Sequence, residues 1–156
     1  FNMVRAGMLL YGAFPSDEVP QDLPIKPVMT FTAPVVEVRD VKAGTHISYG
    51  GVYTTEKDTR IASIGIGYGD GYRRELSNQA SVLIHGQRCP LRGRVCMDQF
   101  MVDLGEQSIS LGESATLIGE QGVEVITVED LAALCGTIPY EILTGFNERL
   151  PRIYRG

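Results

Sequence analysis

The sequence predicts a mostly β fold, a compact barrel or sandwich with two short helices near the C-terminus. Segments rich in β-branched residues recur at near-regular spacing, which is typical of such folds. Turn-forming residues are abundant, with 18 glycines and 8 prolines among 156 residues. Close to the C-terminus the apolar residues change to helical spacing, which accounts for the two helices.

Seven segments predict the strands, and turns rich in glycine separate them. The pair Gly50–Gly51 interrupts the second segment, and a turn is predicted around His85–Gln87. The seven segments are 28–38, 46–55, 60–68, 80–84, 91–104, 114–118 and 123–126.

The N-terminal part departs from this pattern. Residues 3–11 form an apolar run that is typical of a buried strand or of its terminal turn. Residues 12–27 hold four prolines and predict a loop or a linker. The chain starts without the pattern of a signal peptide, and its start is typical of a cut inside a longer chain.

Two helices are predicted after the last strand. Residues 127–130 resemble a capping box, and the apolar residues that follow form a stripe. Gly136 is a natural stop for this helix. A second helix is predicted to begin near Pro139, which the first helical turn tolerates, and to end near Gly145.

Composition excludes several classes of function. The net charge of −5 disfavours non-specific binding to nucleic acid. No apolar run is long enough to predict a membrane segment. The three cysteines form no C-x-x-C pair, and the two histidines are far apart in the sequence, so no metal site is predicted. This cysteine usage suits a reducing cytoplasm.

A run of glycines at every second position lies within residues 65–71. It does not match a dinucleotide fingerprint, because Asp70 stands where the third glycine would fall. Glycines at this spacing clear one face of a strand for another backbone or a ligand. A barrel corner or a bulge is the alternative interpretation.

The segment from Arg60 to Arg94 holds six arginines and only two acids. This charge pattern predicts either an unevenly charged solvated surface or a cluster that binds a small anion. Tyr49 precedes two glycines, so its ring could be exposed, and nearby arginines would favour its use as a base. A tyrosine on a strand is more often a packing residue. Cys96 lies two residues after Arg94, whose charge could favour a reactive thiolate. A buried structural role is more frequent for such a cysteine.

Five segments together resemble the C-terminal part of alanine racemase, a pyridoxal-phosphate enzyme that interconverts L- and D-alanine. They occur in the order and spacing of that family and extend over essentially the whole chain. The segments are 3–12, 48–50, 66–71, 93–99 and 149–152.

The resemblance implies a domain division and a partner. Residues 1–12 would be the last strand and the phosphate loop of an N-terminal α/β barrel, and residues 13–156 the C-terminal β domain. The family forms a head-to-tail homodimer, so this domain would cover the barrel of the partner subunit. The lysine that forms the Schiff base with the cofactor would lie in that barrel, so the fragment alone is expected to be inactive.

The resemblance also assigns roles around the cofactor. Tyr49 matches the tyrosine that serves as one of two catalytic bases. Arg5 matches the arginine that faces the pyridine nitrogen of pyridoxal 5'-phosphate. Gly7 and Met8 match the residues whose backbone amides hold the cofactor phosphate.

Further matches concern the amino-acid substrate. The backbone amide of Met97 would meet the substrate carboxylate, with Cys96 and Asp98 on either side. The narrow approach channel would be lined by residues that include Asp98. The other channel residues in the match are Tyr68, Arg74 and Arg94.

One position departs from the family. Some members have a tyrosine that reaches the cofactor phosphate where this chain has Glu148, and an acid there would repel a phosphate. Relatives that racemise serine share the architecture, so a serine/alanine racemase domain is an alternative. A stand-alone β-barrel binding module and a dimerisation module are further alternatives from other classes.

Overall fold

The computed structural model describes residues 2–16, 18–20 and 22–155. Within those ranges the chain forms nine strands, two α-helices and four short 3-10 helices. The strands are β1 Phe31–Val41, β2 His46–Ile47, β3 Tyr53–Thr54, β4 Thr59–Ile64, β5 Ser81–Ile84, β6 Gln87–Pro90, β7 Phe100–Gly105, β8 Ser114–Gln121 and β9 Glu124–Ile126. The α-helices are α1 Val128–Cys135 and α2 Pro139–Gly145. The 3-10 helices are Gly7–Tyr11, Tyr49–Gly51, Tyr68–Asp70 and Arg74–Leu76.

Seven strands form one antiparallel sheet that curls into a nearly closed barrel. Its strand order is β6-β5-β8-β1-β4-β7, and β9 pairs with β8 beside this path. An isolated bridge from Leu91 to Val102 joins the chain after β6 to β7, so the two ends of the sheet meet. Strands β2 and β3 form a separate small hairpin, in which His46 pairs with Thr54. The predicted mostly β fold with two C-terminal helices is confirmed.

The core fills the barrel interior with alternating residues of the strands. In β7, the side chains of Phe100, Val102 and Leu104 are buried and their neighbours are only partly covered. The ring of Tyr72 stacks on that of Phe100 with their centroids 4.8 Å apart. Complete burial raises the pKa of the Tyr72 phenol.

Several strand boundaries differ from the sequence-based ones because backbone amides find partners outside the sheet. The amide of Val28 donates to the Tyr11 carbonyl at 3.2 Å, and β1 begins only at Phe31. The strand predicted over 91–104 begins at Phe100. Before it, the Gly93 amide donates to Asn78 Oδ1 at 3.2 Å and cannot join the ladder.

Residues 3–11, predicted to be a buried strand or its terminal turn, form no strand within the described residues. Residues 2–6 have no regular structure, and Gly7–Tyr11 form a 3-10 helix. The side chains of Met3 and Val4 are 75% and 82% exposed. A strand needs a neighbour for its backbone hydrogen bonds, and within the described residues no strand pairs with this segment.

Both helices form where the sequence predicts them. The Thr127 side chain accepts a hydrogen bond from the Asp130 amide, and the Asp130 carboxylate accepts one from the Thr127 amide. This reciprocal pair is the predicted capping box. Gly136 ends α1 in the left-handed conformation, and Pro139 opens α2. Among the described residues, no helix has the length and hydropathy that crossing a bilayer requires.

Candidate functional site

The glycine run packs directly against the loop that precedes β7. The Tyr68 amide donates to the Cys96 carbonyl at 3.0 Å, and the Gly69 amide donates to the Met97 carbonyl at 2.8 Å. A Cβ atom at Gly67 would lie only 2.2 Å from the Cys96 carbonyl oxygen. The interpretation that these glycines allow another backbone to approach is therefore confirmed.

Side chains near the hairpin fasten the same loop from the other side. Ser48 Oγ donates to the Arg94 carbonyl at 3.1 Å, and Cys96 Sγ donates to it at 3.6 Å. Ser48 has a φ of 66°, a conformation that costs a non-glycine residue energy. Cys96 is partly buried, and its Sγ atom lies 3.6 Å from Ser48 Oγ, so it joins the loop to the hairpin.

A sharp bend between β2 and β3 exposes Tyr49. Gly50 and Gly51 have φ values of 75° and 55°, which a side chain would disfavour. The Tyr49 side chain is 77% exposed. A Cβ atom at Gly50 would lie 3.8 Å from both Nε and Nη2 of Arg94, so the Arg94 guanidinium lies beside this bend.

The glycine run, the turn at Arg74, the bend at Tyr49 and the loop before β7 border an open cavity of about 510 Å³. Of the ten candidate site residues predicted from the sequence, seven line this cavity. The other three are the residues predicted to bind the cofactor, and they are described below. The seven are Tyr49, Tyr68, Arg74, Arg94, Cys96, Met97 and Asp98. Val95 and Gln99 complete the lining.

Only two arginines of the basic segment line this cavity. Arg60 pairs with Asp40 at 3.1 Å and Arg88 pairs with Glu124 at 2.6 Å, both near the surface. Arg92 lies over the Tyr53 ring, 4.6 Å from its centroid. The charge excess therefore consists of surface ion pairs, one arginine stacked on a tyrosine ring, and two arginines at the cavity.

Two donors at the cavity have no partner in the described part of the chain. The Nε atom of Arg94 is buried and forms no hydrogen bond there. The amide of Met97 forms none either, whereas its carbonyl accepts from Gly69. The Arg94 Nε atom is buried, where polar groups are normally paired, and Met97 is 52% exposed, so both donors are available to an anionic ligand in the cavity.

Arg149 lies outside the cavity lining but contacts Asp98, which lines it, and no local sequence pattern indicates this role. Its Nη2 atom donates to Asp98 at 3.1 Å, and its Nε atom lies 3.4 Å from Asp70. Asp70 is 8% exposed and accepts from the Gly67 amide at 3.1 Å. The segment 149–152 was noticed only as part of the resemblance.

The three residues assigned to the cofactor lie apart from this cavity. None of Arg5, Gly7 and Met8 lines it. The Met8 amide donates to the Tyr140 hydroxyl of α2 at 3.3 Å. A Cβ atom at Gly7 would lie 3.0 Å from the same hydroxyl. Arg5 is exposed.

Other features do not add to the site. A second cavity of about 420 Å³ lies between residues 11–13 and the β8–β9 hairpin, and it contains none of the predicted residues. The Glu148 side chain is exposed. No group of three or more histidine, cysteine, aspartate or glutamate side chains in the described residues is arranged to hold a metal.

Comparison with known proteins defines the class of this domain. Residues 28–154 match the family described as alanine racemase, C-terminal domain. The chain therefore belongs to the alanine racemase family and corresponds to its C-terminal domain.

Curated relatives give the same result. The chain is 49% identical over 156 residues to an alanine racemase of Carboxydothermus hydrogenoformans, covering 99% of this chain and 42% of that protein. It is 45% identical over 155 residues to an alanine racemase of Halothermothrix orenii, covering 99% and 41%. The chain thus spans about two fifths of the length of these relatives.

Solved structures agree in fold. The alanine racemase of Bacillus anthracis with bound L-Ala-P superposes with a TM-score of 0.90 at 41% identity, covering 96% of this chain and 39% of that one. The alanine racemase of Streptomyces lavendulae also gives a TM-score of 0.90 at 41% identity, covering 96% and 40%.

Proposed function

We propose that this chain is the part of a pyridoxal-phosphate-dependent alanine racemase that supplies one of two catalytic bases and binds the substrate carboxylate. The main observation in support is the cavity that unites an exposed Tyr49 with two donors, Arg94 Nε and the Met97 amide, that have no partner among the described residues. Interconversion of L- and D-alanine needs a proton removed on one face of the α-carbon and a proton delivered on the other. Tyr49, as the proposed acid–base group of this cavity, would serve one of these faces.

The substrate carboxylate would be bound by the Met97 amide. The position of this amide is fixed, because the carbonyls of Cys96 and Met97 on either side of it accept hydrogen bonds from the glycine run. Arg74 and Arg94 add positive charge to the wall, which favours a small anionic group. Asp98, paired with Arg149, would face the substrate ammonium in the approach channel.

Tyr49 would exchange the proton with the α-carbon. Its backbone is held by the strained Ser48 and by two left-handed glycines, which project the ring away from the barrel. The Arg94 guanidinium lies beside the bend that carries Tyr49 and lines the same cavity, and its positive charge would favour an anionic phenolate there. The hydroxyl would take the proton in one reaction direction and return it in the other.

The N-terminal segment fits the phosphate of the cofactor. The Gly7 and Met8 amides begin a 3-10 helix whose own hydrogen bonds do not use them, and the Met8 amide donates to the Tyr140 hydroxyl at 3.3 Å. A side chain at Gly7 would fill the space next to the Tyr140 hydroxyl, so a glycine keeps this cradle open. Backbone amides and a hydroxyl are suitable donors to phosphate oxygens.

Pyridoxal phosphate, when bound, would supply the electron sink for the pair left at the α-carbon. Arg5 would face its pyridine nitrogen and disfavour protonation there. A weaker sink suits an enzyme that returns the proton to the same carbon. The lysine on the opposite face is assigned to the barrel, outside residues 1–156.

The two groups of residues would meet only when two chains associate. Met8 contacts α2 through the Tyr140 hydroxyl, and none of residues 5–8 lines the Tyr49 cavity. In the proposed homodimer, the cavity of one chain would cover the cofactor held by residues 5–8 and the barrel of its partner. The three cysteines of this chain form no disulfide within the described residues, which suits an enzyme of the cytoplasm.

The experiment uses the full-length protein that contains this chain. We expect the purified protein with pyridoxal phosphate to convert L-alanine to D-alanine, as measured by chiral chromatography. Serine is tested in parallel, because a faster reaction with serine would favour the serine/alanine alternative. Residues 1–156 alone should show no conversion. Failure of the full-length protein to convert either amino acid would refute the proposal.

A further inference from the structure

Arg149 contacts both loops that line the Tyr49 cavity. Its guanidinium reaches Asp98 at 3.1 Å, Asp70 at 3.4 Å and the Gly69 carbonyl at 3.4 Å. Asn147 adds a bond from Nδ2 to the same Gly69 carbonyl at 2.6 Å. One C-terminal segment thus holds both the glycine loop and the loop before β7.

These contacts differ from ordinary surface ion pairs in their geometry. Asp70 is anchored by the Gly67 amide and is nearly buried, so it provides a fixed point on the glycine loop. Asp98 directly follows Met97, whose amide is unpartnered in the described residues. The planar fork of arginine can bind two carboxylates at once, and a lysine cannot reproduce that geometry.

We infer that Arg149 is a positioning residue that fixes the Met97 amide relative to Tyr68 by joining Asp98 to Asp70. It touches no reacting atom. Its effect on catalysis rests on the proposed function, in which that amide binds the substrate carboxylate. Its effect on the two loops is independent of the reaction.

The test compares three variants of the full-length protein. Arg149→Ala removes both pairs, and Arg149→Lys keeps the charge without the fork. Arg88→Ala is the matched control, because Arg88 forms an exposed pair with Glu124 away from the cavity. Circular dichroism confirms that each variant is folded.

The first measurement is amide hydrogen exchange without substrate. The Tyr68 and Gly69 amides donate across the two loops, so Arg149→Ala should speed their exchange by roughly three- to tenfold, as loss of two weak pairs implies. Arg149→Lys should give an intermediate value. The β4 and β7 amides should be unchanged, and Arg88→Ala should have no effect at the loops.

The second measurement separates KM from kcat for alanine. A displaced Met97 amide weakens carboxylate binding, so Arg149→Ala should raise KM several-fold more than it lowers kcat. Unchanged loop exchange with wild-type KM would overturn the inference. Faster loop exchange in a protein without racemase activity would support the positioning role and refute the proposed function, so the two failures are distinguishable.

Discussion

Replacement of Tyr49 by phenylalanine removes the proposed base and little else. The side chain is 77% exposed, so loss of its hydroxyl leaves the packing of the core unchanged. The change in the free energy of unfolding should therefore stay within about 0.5 kcal/mol. A general base contributes about 10²- to 10⁴-fold, so the barrier should rise by roughly 3–5 kcal/mol.

The assay follows two quantities in the full-length protein. Racemisation should fall by at least about 10²-fold in both directions, because either direction uses both faces. Deuterium incorporation at the α-carbon from solvent should survive for one enantiomer only, through the base on the other face. Cofactor absorbance should be unchanged.

Tyr53→Phe is the matched control. Tyr53 lies on the same hairpin, in β3, and contacts Arg92 without lining the cavity. Its variant should racemise alanine at the wild-type rate. Wild-type racemisation and exchange of both enantiomers in Tyr49→Phe would show that Tyr49 is a packing residue.

Three further predictions concern stability, pH and reaction specificity. Gly67→Ala should destabilise the protein by about 1–3 kcal/mol in denaturant titration, since the new Cβ would collide with the Cys96 carbonyl; an unchanged midpoint would contradict this packing. The hydrogen bond from the Ser110 amide lowers the pKa of Glu113. The ionised Glu113 carboxylate therefore stabilises the folded protein above its ordinary pKa of 4.5, and this contribution is lost as pH falls through the lowered pKa. Glu113→Gln should accordingly lower the melting temperature at pH 7 and not at strongly acidic pH, and equal melting curves at pH 7 would refute this. Arg5→Glu should slow racemisation and increase pyruvate formation relative to it, whereas unchanged rates and products would show that Arg5 does not face the cofactor ring.

Local patterns in the sequence predicted local structure well. The capping residues before α1 and the stop at Gly136 act through neighbours in the chain, so their effect is visible in the sequence. The glycine run likewise indicated a close backbone approach. The fold class followed from the spacing of strands and turns.

Contacts between distant segments were not predictable in this way. Arg149 pairs with Asp70 and Asp98, which are far from it in the sequence, and no local pattern predicts such a pairing. The loop before β7 falls within the strand predicted over 91–104. Its amides instead bind side chains near residue 78, a tertiary effect that overrides β propensity. The residues that line the cavity were assembled from a family resemblance.

The central claim is that the Tyr49 cavity of one chain acts on a cofactor held by residues 5–8 of another. Mixed dimers test it directly, with one full-length chain carrying Tyr49→Phe and the other Arg5→Glu. If the site is shared, each mixed dimer keeps one intact site, and a statistical mixture should regain about a quarter of the wild-type racemase activity. If both residues served the same chain's site, every site would carry one substitution. Activity no higher than that of the two single variants would contradict the account.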